Sequence, residues 1–203
     1  GILSAKLAPG NTIRFMKNVD SWFPNFINLN SIQKVGLGIL ETGDGLLSVS
    51  FAFVTLFLIV SVILSIYKNN FTSFILSTVV LLTVLSHKFE WRSVLFTLSS
   101  VSKLARESGT FEFNFVYFGA VLFYFVILLI LLFIIWSLSD SKDKVWLSYL
   151  FIIGLLGRMV ISFSPTLYAS DTRTYLPIML SVFIITCKFI NEIYLKMKHR
   201  KIN

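Results

Sequence analysis

The polar stretch at residues 164–175 holds groups that could bind a phosphate. Its candidate side chains are Tyr168, Ser170, Asp171, Thr172, Arg173 and Thr174. Arg173 and the neighbouring hydroxyls could hold a phosphate, or Arg173 could pair with Asp171. The alternative is an ordinary turn in which Asp171 or Thr172 caps the next helix.

Two further arginines adjoin apolar sequence. Arg158 interrupts an apolar run, and an arginine inside a membrane segment faces a partner or a wet cavity, unless it snorkels to the headgroups. Residues 8–14 predict a turn and a helix start that Asn11 could cap. Arg14 beside such a start would suit an anion, although most such sequences are only helix starts.

A third candidate segment, residues 87–92, contains two groups that exchange protons. Glu90 could act as a base and His87 as its acid–base partner. A tryptophan flanked by charges, as Trp91 is here, is also common at any membrane boundary. The catalytic residue is therefore unknown, with Asp171 and Glu90 as the candidates.

Several chemistries have no support in the sequence. It contains no GxxxxGK[ST], GxGxxG, HExxH or GxSxG motif, and only two histidines and one cysteine. We therefore expect no metal, no cofactor and no internal disulfide.

The elements that position these residues follow from composition. Of 203 residues, 56% are hydrophobic and 14% charged, whereas a soluble domain has about 25% charged residues. The apolar residues fall in long runs, so the bilayer is the expected solvent. The net charge of +8 then reflects basic residues on the cytoplasmic side rather than a nucleic-acid partner.

Five apolar runs approach the roughly 20 residues that cross a bilayer. They are residues 46–67, 71–86, 115–138, 146–163 and 175–195. We predict an all-α, polytopic integral membrane protein with about five transmembrane helices, in the bacterial cytoplasmic membrane. The basic tail, residues 196–203, is placed in the cytoplasm, which leaves residues 1–45, 87–114 and 164–174 on the outer side.

The outer segments predict amphipathic interfacial helices. At residues 92–106 the apolar positions recur every three or four residues, and residues 13–27 are similarly patterned. Four glycines precede the first predicted span and indicate turns or loops there: Gly36, Gly38, Gly43 and Gly45. The predicted organisation is one membrane domain, residues 1–203. Its parts are residues 1–45 with an amphipathic helix, 46–86 as a first helix pair, 87–114 as an interfacial segment, 115–195 as the last three membrane helices, and the tail.

Two motifs carry a resemblance to a known family. They are Ala-Pro-Gly-Asn-x-x-Arg at residues 8–14 and Ser-Pro-Thr-x-Tyr-Ala-Ser-x-x-Arg-Thr at residues 164–174. With them the chain resembles the C-terminal part of a poorly characterised family of bacterial polytopic membrane proteins similar to GT-C superfamily glycosyltransferases. Since the chain starts at Gly1 in what looks like the end of an apolar segment, we expect it to be a fragment.

The resemblance implies a protein that moves sugar from a polyprenyl-phosphate donor for cell-envelope polysaccharide or glycolipid modification. The expected substrate-binding residues are Asn11, Arg14, Arg158, Tyr168, Ser170 and Arg173. The catalytic loop would lie upstream, so the expected partners are that upstream half, membrane lipid and the donor. The alternatives are a lipid-linked oligosaccharide flippase or transporter, or a non-catalytic membrane subunit.

Overall fold

The fold is built from helices. The computed structural model describes residues 11–108, 111, 114–164 and 171–200, and of residues 11–14, 22, 106, 171, 172, 199 and 200 it describes the backbone alone. Within these ranges every regular element is helical, which confirms the all-α prediction. The α-helices are α1 (Asn11–Trp22), α2 (Ser31–Leu47), α3 (Phe51–Tyr67), α4 (Phe71–Lys88), α5 (Val94–Ser99), α6 (Val101–Ser108), α7 (Phe115–Leu138), α8 (Lys144–Met159) and α9 (Leu176–Arg200). Short 3₁₀ helices lie at Pro24–Asn28, Val160–Phe163 and Asp171–Tyr175.

Four helical segments are long and apolar enough to cross a membrane. They are Phe71–Lys88, Phe115–Leu138, Lys144–Phe163 and Arg173–Lys198. Helices α2 and α3 meet the same test only as a pair, and a bend of 76° separates them. Among the described residues there are thus four helices that could cross a membrane, or five if the bent pair counts as one, which fits a membrane-embedded protein.

The first predicted span differs from the structure. The apolar run at residues 46–67 predicts one helix, whereas α2 ends at Leu47 and α3 begins at Phe51. The Ser48 amide and hydroxyl both donate to the Asp44 carbonyl, at 2.9 and 2.8 Å. The Ser50 amide donates to the Gly45 carbonyl. These bonds close the end of α2 and turn the chain, so the run is divided between two helices.

Helix α2 is the largest departure from the sequence-based organisation. Residues 31–45 were predicted as part of an outer segment, but they form a helix that begins with a capping box between Asn30 and Gln33. From Gly36 onward nearly every residue of α2 is buried. The helix packs against α7, α8 and the 3₁₀ helix Val160–Phe163.

The glycines of α2 explain this burial. A Cβ atom at Gly43 would overlap the Tyr124 side chain, and one at Gly45 would overlap the Tyr175 ring. Glycine costs up to about 1 kcal/mol in a helix relative to alanine. Here the absence of a side chain lets two tyrosines lie directly on the α2 backbone, so the glycines favour close packing rather than a loop.

The other long helices pack on one another beside α2. Helix α3 packs on α4 and α9, and α9 and α7 both pack on α8. Phe57 of α3 stacks on Phe189 of α9 with ring centroids 5.9 Å apart. Large side chains without solvent exposure, such as Leu37, Leu40 and Phe151, fill the core.

The predicted amphipathic segments are helical, with one difference in their buried face. Val19 of α1, Phe26 of the following 3₁₀ helix and Phe23 between them are buried, whereas Phe15 is exposed. Residues 92–106 form two helices, α5 and α6, instead of one. Their buried residues are Ser99, Val101, Ser102 and Ala105, while Val94 and Leu104 are exposed. The apolar pattern therefore identified the helices but only part of the face that packs inward.

The end of the bundle away from α5 and α6 is closed by an ion-pair group. The Lys68 ammonium lies 2.8 Å from the Asp140 carboxylate and 2.5 Å from that of Glu192, and it also donates to the Leu138 carbonyl. Burial disfavours the charged form of Lys68, but the hydrogen bonds to Asp140 and Glu192 outweigh burial and raise the pKa of the ammonium. The group joins the α3–α4 turn to the α7–α8 turn and to α9.

Substitution of Gly43 tests the packing of α2. Gly43→Ala should destabilise the protein by about 1–3 kcal/mol, because the added methyl group overpacks against Tyr124. The matched control is Gly119→Ala in α7, where nothing lies within 4 Å of the new Cβ atom. That control should be neutral or stabilise by up to about 1 kcal/mol. The measurement is unfolding in mixed detergent micelles, and equal stability of the two variants would contradict the close approach.

Candidate functional site

Buried polar side chains from several helices meet at the end of the bundle near α5 and α6. We call this set the buried polar cluster: Glu41 and Asp44 of α2, His87 of α4, Ser99 of α5, Tyr124 of α7, Arg158 of α8, and Tyr175. His87 and Arg158 each lie in the last turn of their helix. Because these helix ends meet at one level, the cluster combines groups that are far apart in sequence.

Arg158 lies inside the protein. It is 1% exposed, and its guanidinium carbon is 4.5 Å from the centroid of the Tyr175 ring. Its Nη2 atom donates to the Tyr175 hydroxyl at 3.0 Å, and that hydroxyl donates to the Glu41 carbonyl at 2.6 Å. Within the described part of the chain, Nε and Nη1 have no hydrogen-bond acceptor. The guanidinium is therefore fixed at one nitrogen and offers two further donors.

His87 connects a carboxylate to a hydroxyl. Its Nε2 atom lies 3.5 Å from Oδ1 of Asp44, and its Nδ1 atom lies 2.7 Å from Oγ of Ser99. The Tyr124 hydroxyl donates to the Ser99 carbonyl at 2.8 Å, which holds α5 against the bundle. An imidazole between a carboxylate and a hydroxyl can take up or release a proton.

Local sequence explains why α2 presents two carboxylates to the interior. Glu41 and Asp44 are three residues apart, so they lie on neighbouring positions of one helix face. Gly43 and Gly45 flank Asp44 and let the Tyr124 and Tyr175 side chains lie directly against the α2 backbone. Glu41 and Asp44 are 1% and 4% exposed, respectively.

The sequence-predicted site residues do not all come together. Arg158 belongs to the buried polar cluster and faces Tyr175 rather than headgroups. Arg173 is exposed, two residues before Tyr175 on the same 3₁₀ helix. The side chains of Asn11, Arg14 and Asp171, and the whole of Tyr168 and Ser170, lie outside the described residues. That these residues together bind the substrate thus stays a prediction.

Glu90 and His87 contact different partners in the structure. Glu90 is exposed and lies 3.4 Å from the Lys103 ammonium. His87 is buried and contacts Asp44 and Ser99 instead. The chain turns away after α4, where Glu90 adopts a positive φ of 52°, so its carboxylate lies on the surface.

Sequence reasoning missed Glu41, Asp44 and Tyr124. A signal was present, because the two acidic residues stand in a stretch of glycine and leucine, residues 36–47, that leads directly into an apolar run. Acidic residues within a buried, membrane-type helix are costly and usually functional. Because the glycines of this stretch are typical of loops, the sequence did not indicate that Glu41 and Asp44 lie in a buried helix.

Comparison with known proteins identifies no relative: no protein family, curated protein or solved structure matches this chain. The fold and the cluster define its class as an α-helical protein of membrane-embedded type with a buried ionisable centre. In the part of the chain that the structure describes, no group of three or more histidine, cysteine or acidic side chains could hold a metal ion.

The Tyr124 hydroxyl provides a test of how the cluster is assembled. Tyr124→Phe should destabilise the protein by about 1–3 kcal/mol, because the buried Ser99 carbonyl loses its donor. Tyr149→Phe is the matched control, since Tyr149 is 62% exposed, and it should change stability by less than about 0.5 kcal/mol. Thermal unfolding in detergent measures both, and equal effects would refute the contact.

Proposed function

We propose that this chain is part of a bacterial membrane glycosyltransferase-like protein that acts on polyprenyl-phosphate-linked sugar. The product would be a modified cell-envelope polysaccharide or glycolipid. The observation that supports the proposal is the buried Arg158 guanidinium, whose Nε and Nη1 atoms have no acceptor among the described residues.

A buried arginine with unused donors suits a phosphate. Burial of a charge is expensive unless an opposite charge and hydrogen bonds compensate for it. The planar guanidinium matches two phosphate oxygens at once, which a lysine ammonium does not. Since Tyr175 fixes Nη2, the other donors of Arg158 are pre-oriented for such a ligand.

In this proposal a carboxylate of α2 supplies the catalytic base. In the proposed transfer, an acceptor hydroxyl attacks the anomeric carbon of the sugar while the bond from that carbon to the phosphate oxygen breaks. Polyprenyl phosphate leaves with its negative charge beside Arg158, and the acceptor proton passes to Asp44. The His87 imidazole 3.5 Å from Asp44 orients this base. Asp44 thereby replaces Glu90 and Asp171 as the preferred catalytic candidate.

The orientation in the membrane is part of the proposal. The end that carries the cluster faces the outer side, with α1, α5 and α6 along the interface, and the basic tail faces the cytoplasm. Exposed Phe89, Trp91 and Val94 near this end are suited to the headgroup region. Lys142 and Lys144 in the opposite short loop agree with a cytoplasmic position.

A lipid-linked oligosaccharide transporter is the second candidate. The 76° bend between α2 and α3 follows directly after Glu41 and Asp44. Transporters commonly bind their substrates at broken membrane helices that carry polar groups. This arrangement favours a flippase over a non-catalytic subunit as the alternative.

Sugar transfer by the full-length protein in proteoliposomes tests Arg158. Arg158→Lys and Arg158→Ala should each lower transfer from a polyprenyl-phosphate donor about ten- to hundredfold, because a charge-assisted hydrogen bond contributes about 1.5–3 kcal/mol and 1.4 kcal/mol is tenfold. Arg92→Ala is the control, since Arg92 is exposed near the same end, and it should transfer normally. Normal transfer by Arg158→Ala would contradict the phosphate role.

A second variant distinguishes a loss of catalysis from a loss of folding or substrate binding. Asp44→Asn keeps the side-chain shape, so it should abolish transfer while the protein still binds polyprenyl phosphate. If the wild-type protein moves the lipid-linked sugar across the vesicle membrane without forming a glycosidic bond, the transporter is correct and the transferase is wrong.

A further inference from the structure

We propose that a groove between α7 and α8 binds an anionic phospholipid, with one acyl chain in the groove and the headgroup phosphate at Lys144. The groove is lined by Leu129, Leu132, Phe133, Trp136, Ser148 and Ile152 and encloses about 370 Å³. We call it the α7–α8 groove. It is separate from the buried polar cluster and does not depend on the proposed transferase function.

The groove has the composition of an acyl-chain site. Its lining is almost wholly apolar, and Leu129, Phe133 and Trp136 are each more than 40% exposed at its edge. Both helices are among those apolar enough to cross a membrane, so acyl chains are the surrounding solvent. The volume lies within the roughly 300–1,000 Å³ of small-molecule sites.

The mouth of the groove carries a cation, Lys144, with no carboxylate partner in the described part of the chain. Lys144 Nζ lies 5.1 Å from the centroid of the Trp136 ring, and Ser148 stands one helical turn farther along α8. A tryptophan that lies beside a basic residue at a helix end is typical of the headgroup level. The groove therefore begins directly below the position where a lipid phosphate would meet the Lys144 ammonium.

Charge pairing in the α7–α8 turn leaves Lys144 available. The two acidic residues of the turn, Asp140 and Asp143, pair with Lys68 and Lys188 from other elements. Among the residues that the structure describes, Lys144 has no carboxylate partner. Since both carboxylates of the turn pair with lysines of other elements, they do not neutralise Lys142 and Lys144, which favours an anionic headgroup over a zwitterionic one.

The polyprenyl donor is a poorer occupant of this groove. Arg158 lies ten residues beyond Ser148, about 15 Å along the helix axis. Its guanidinium is buried against Tyr175 instead of facing the groove. A phosphate at Arg158 would therefore not place its chain at the Trp136 end, whereas a phospholipid from the leaflet beside Lys144 would.

Native mass spectrometry of the full-length protein, titrated with phosphatidylglycerol and separately with phosphatidylcholine, tests the site. The wild-type protein should bind phosphatidylglycerol more tightly. Lys144→Ala should weaken that binding about fivefold, as expected for one lysine near an anionic headgroup. The matched control is Lys142→Ala in the same turn, which is exposed and should change affinity less than twofold.

A groove-filling variant provides the second measurement. Ser148→Phe should reduce the binding of both lipids, and unchanged thermal unfolding shows that it still folds. Equal affinity for the two lipids, or equal effects of Lys144→Ala and Lys142→Ala, would show only unselective lipid contact and overturn the proposal. Because Arg158 is untouched in all three variants, the outcome is independent of sugar transfer.

Discussion

The Tyr175 side chain makes the contact on which the interior of this protein depends. Its ring lies against Gly45 and under the Arg158 guanidinium, while its hydroxyl joins Arg158 to the Glu41 carbonyl. One residue thus links α8, the start of α9 and the middle of α2. Through this link the buried Arg158 guanidinium is held next to the α2 backbone, on the helix that also carries the buried Glu41 and Asp44.

The two ends of the bundle use charge in different ways. At the Lys68 end, lysine and carboxylates neutralise each other and hold the turns together. At the Tyr175 end, charged and titratable groups are buried, with two donors of Arg158 unused among the described residues. From Tyr175 to Glu192 the helix rises by about 25 Å, so a largely apolar layer separates the two groups. The Lys68 ion-pair group thus lies at one end, and the buried polar cluster lies at the other.

The extent to which sequence predicts this fold follows from what each element depends on. Helix α7 is identified by hydropathy alone, because its sequence is uncharged and almost wholly apolar. Helix α2 could not be predicted in this way, since its burial depends on Tyr124 and Tyr175, distant in sequence, fitting onto Gly43 and Gly45. Local glycine preferences indicated a loop, and tertiary packing overrides them.

The candidate site likewise contains residues that the sequence indicates and residues that only the fold brings together. Arg158 stands out in sequence because a charge within an apolar run is unusual. Asp44 and His87 could not be recognised as a pair from the sequence. Only the fold brings the His87 Nε2 atom, at the end of α4, to 3.5 Å from Asp44 Oδ1 on α2. At residues 92–106 periodicity predicted one helix where the structure has two, and Ser99 lies inside, where its hydroxyl bonds to His87. A polar contact between two single residues does not produce a periodic pattern in the sequence.

The most direct measurement is a double-mutant cycle between Arg158 and Tyr175. The free energy of unfolding is measured for wild type, Arg158→Met, Tyr175→Phe and the double variant in mixed micelles. If the stacked, hydrogen-bonded pair holds α2 in place, the coupling energy should be about 1–3 kcal/mol, as for contacting residues in one network. Effects that add to within about 0.3 kcal/mol would contradict the account.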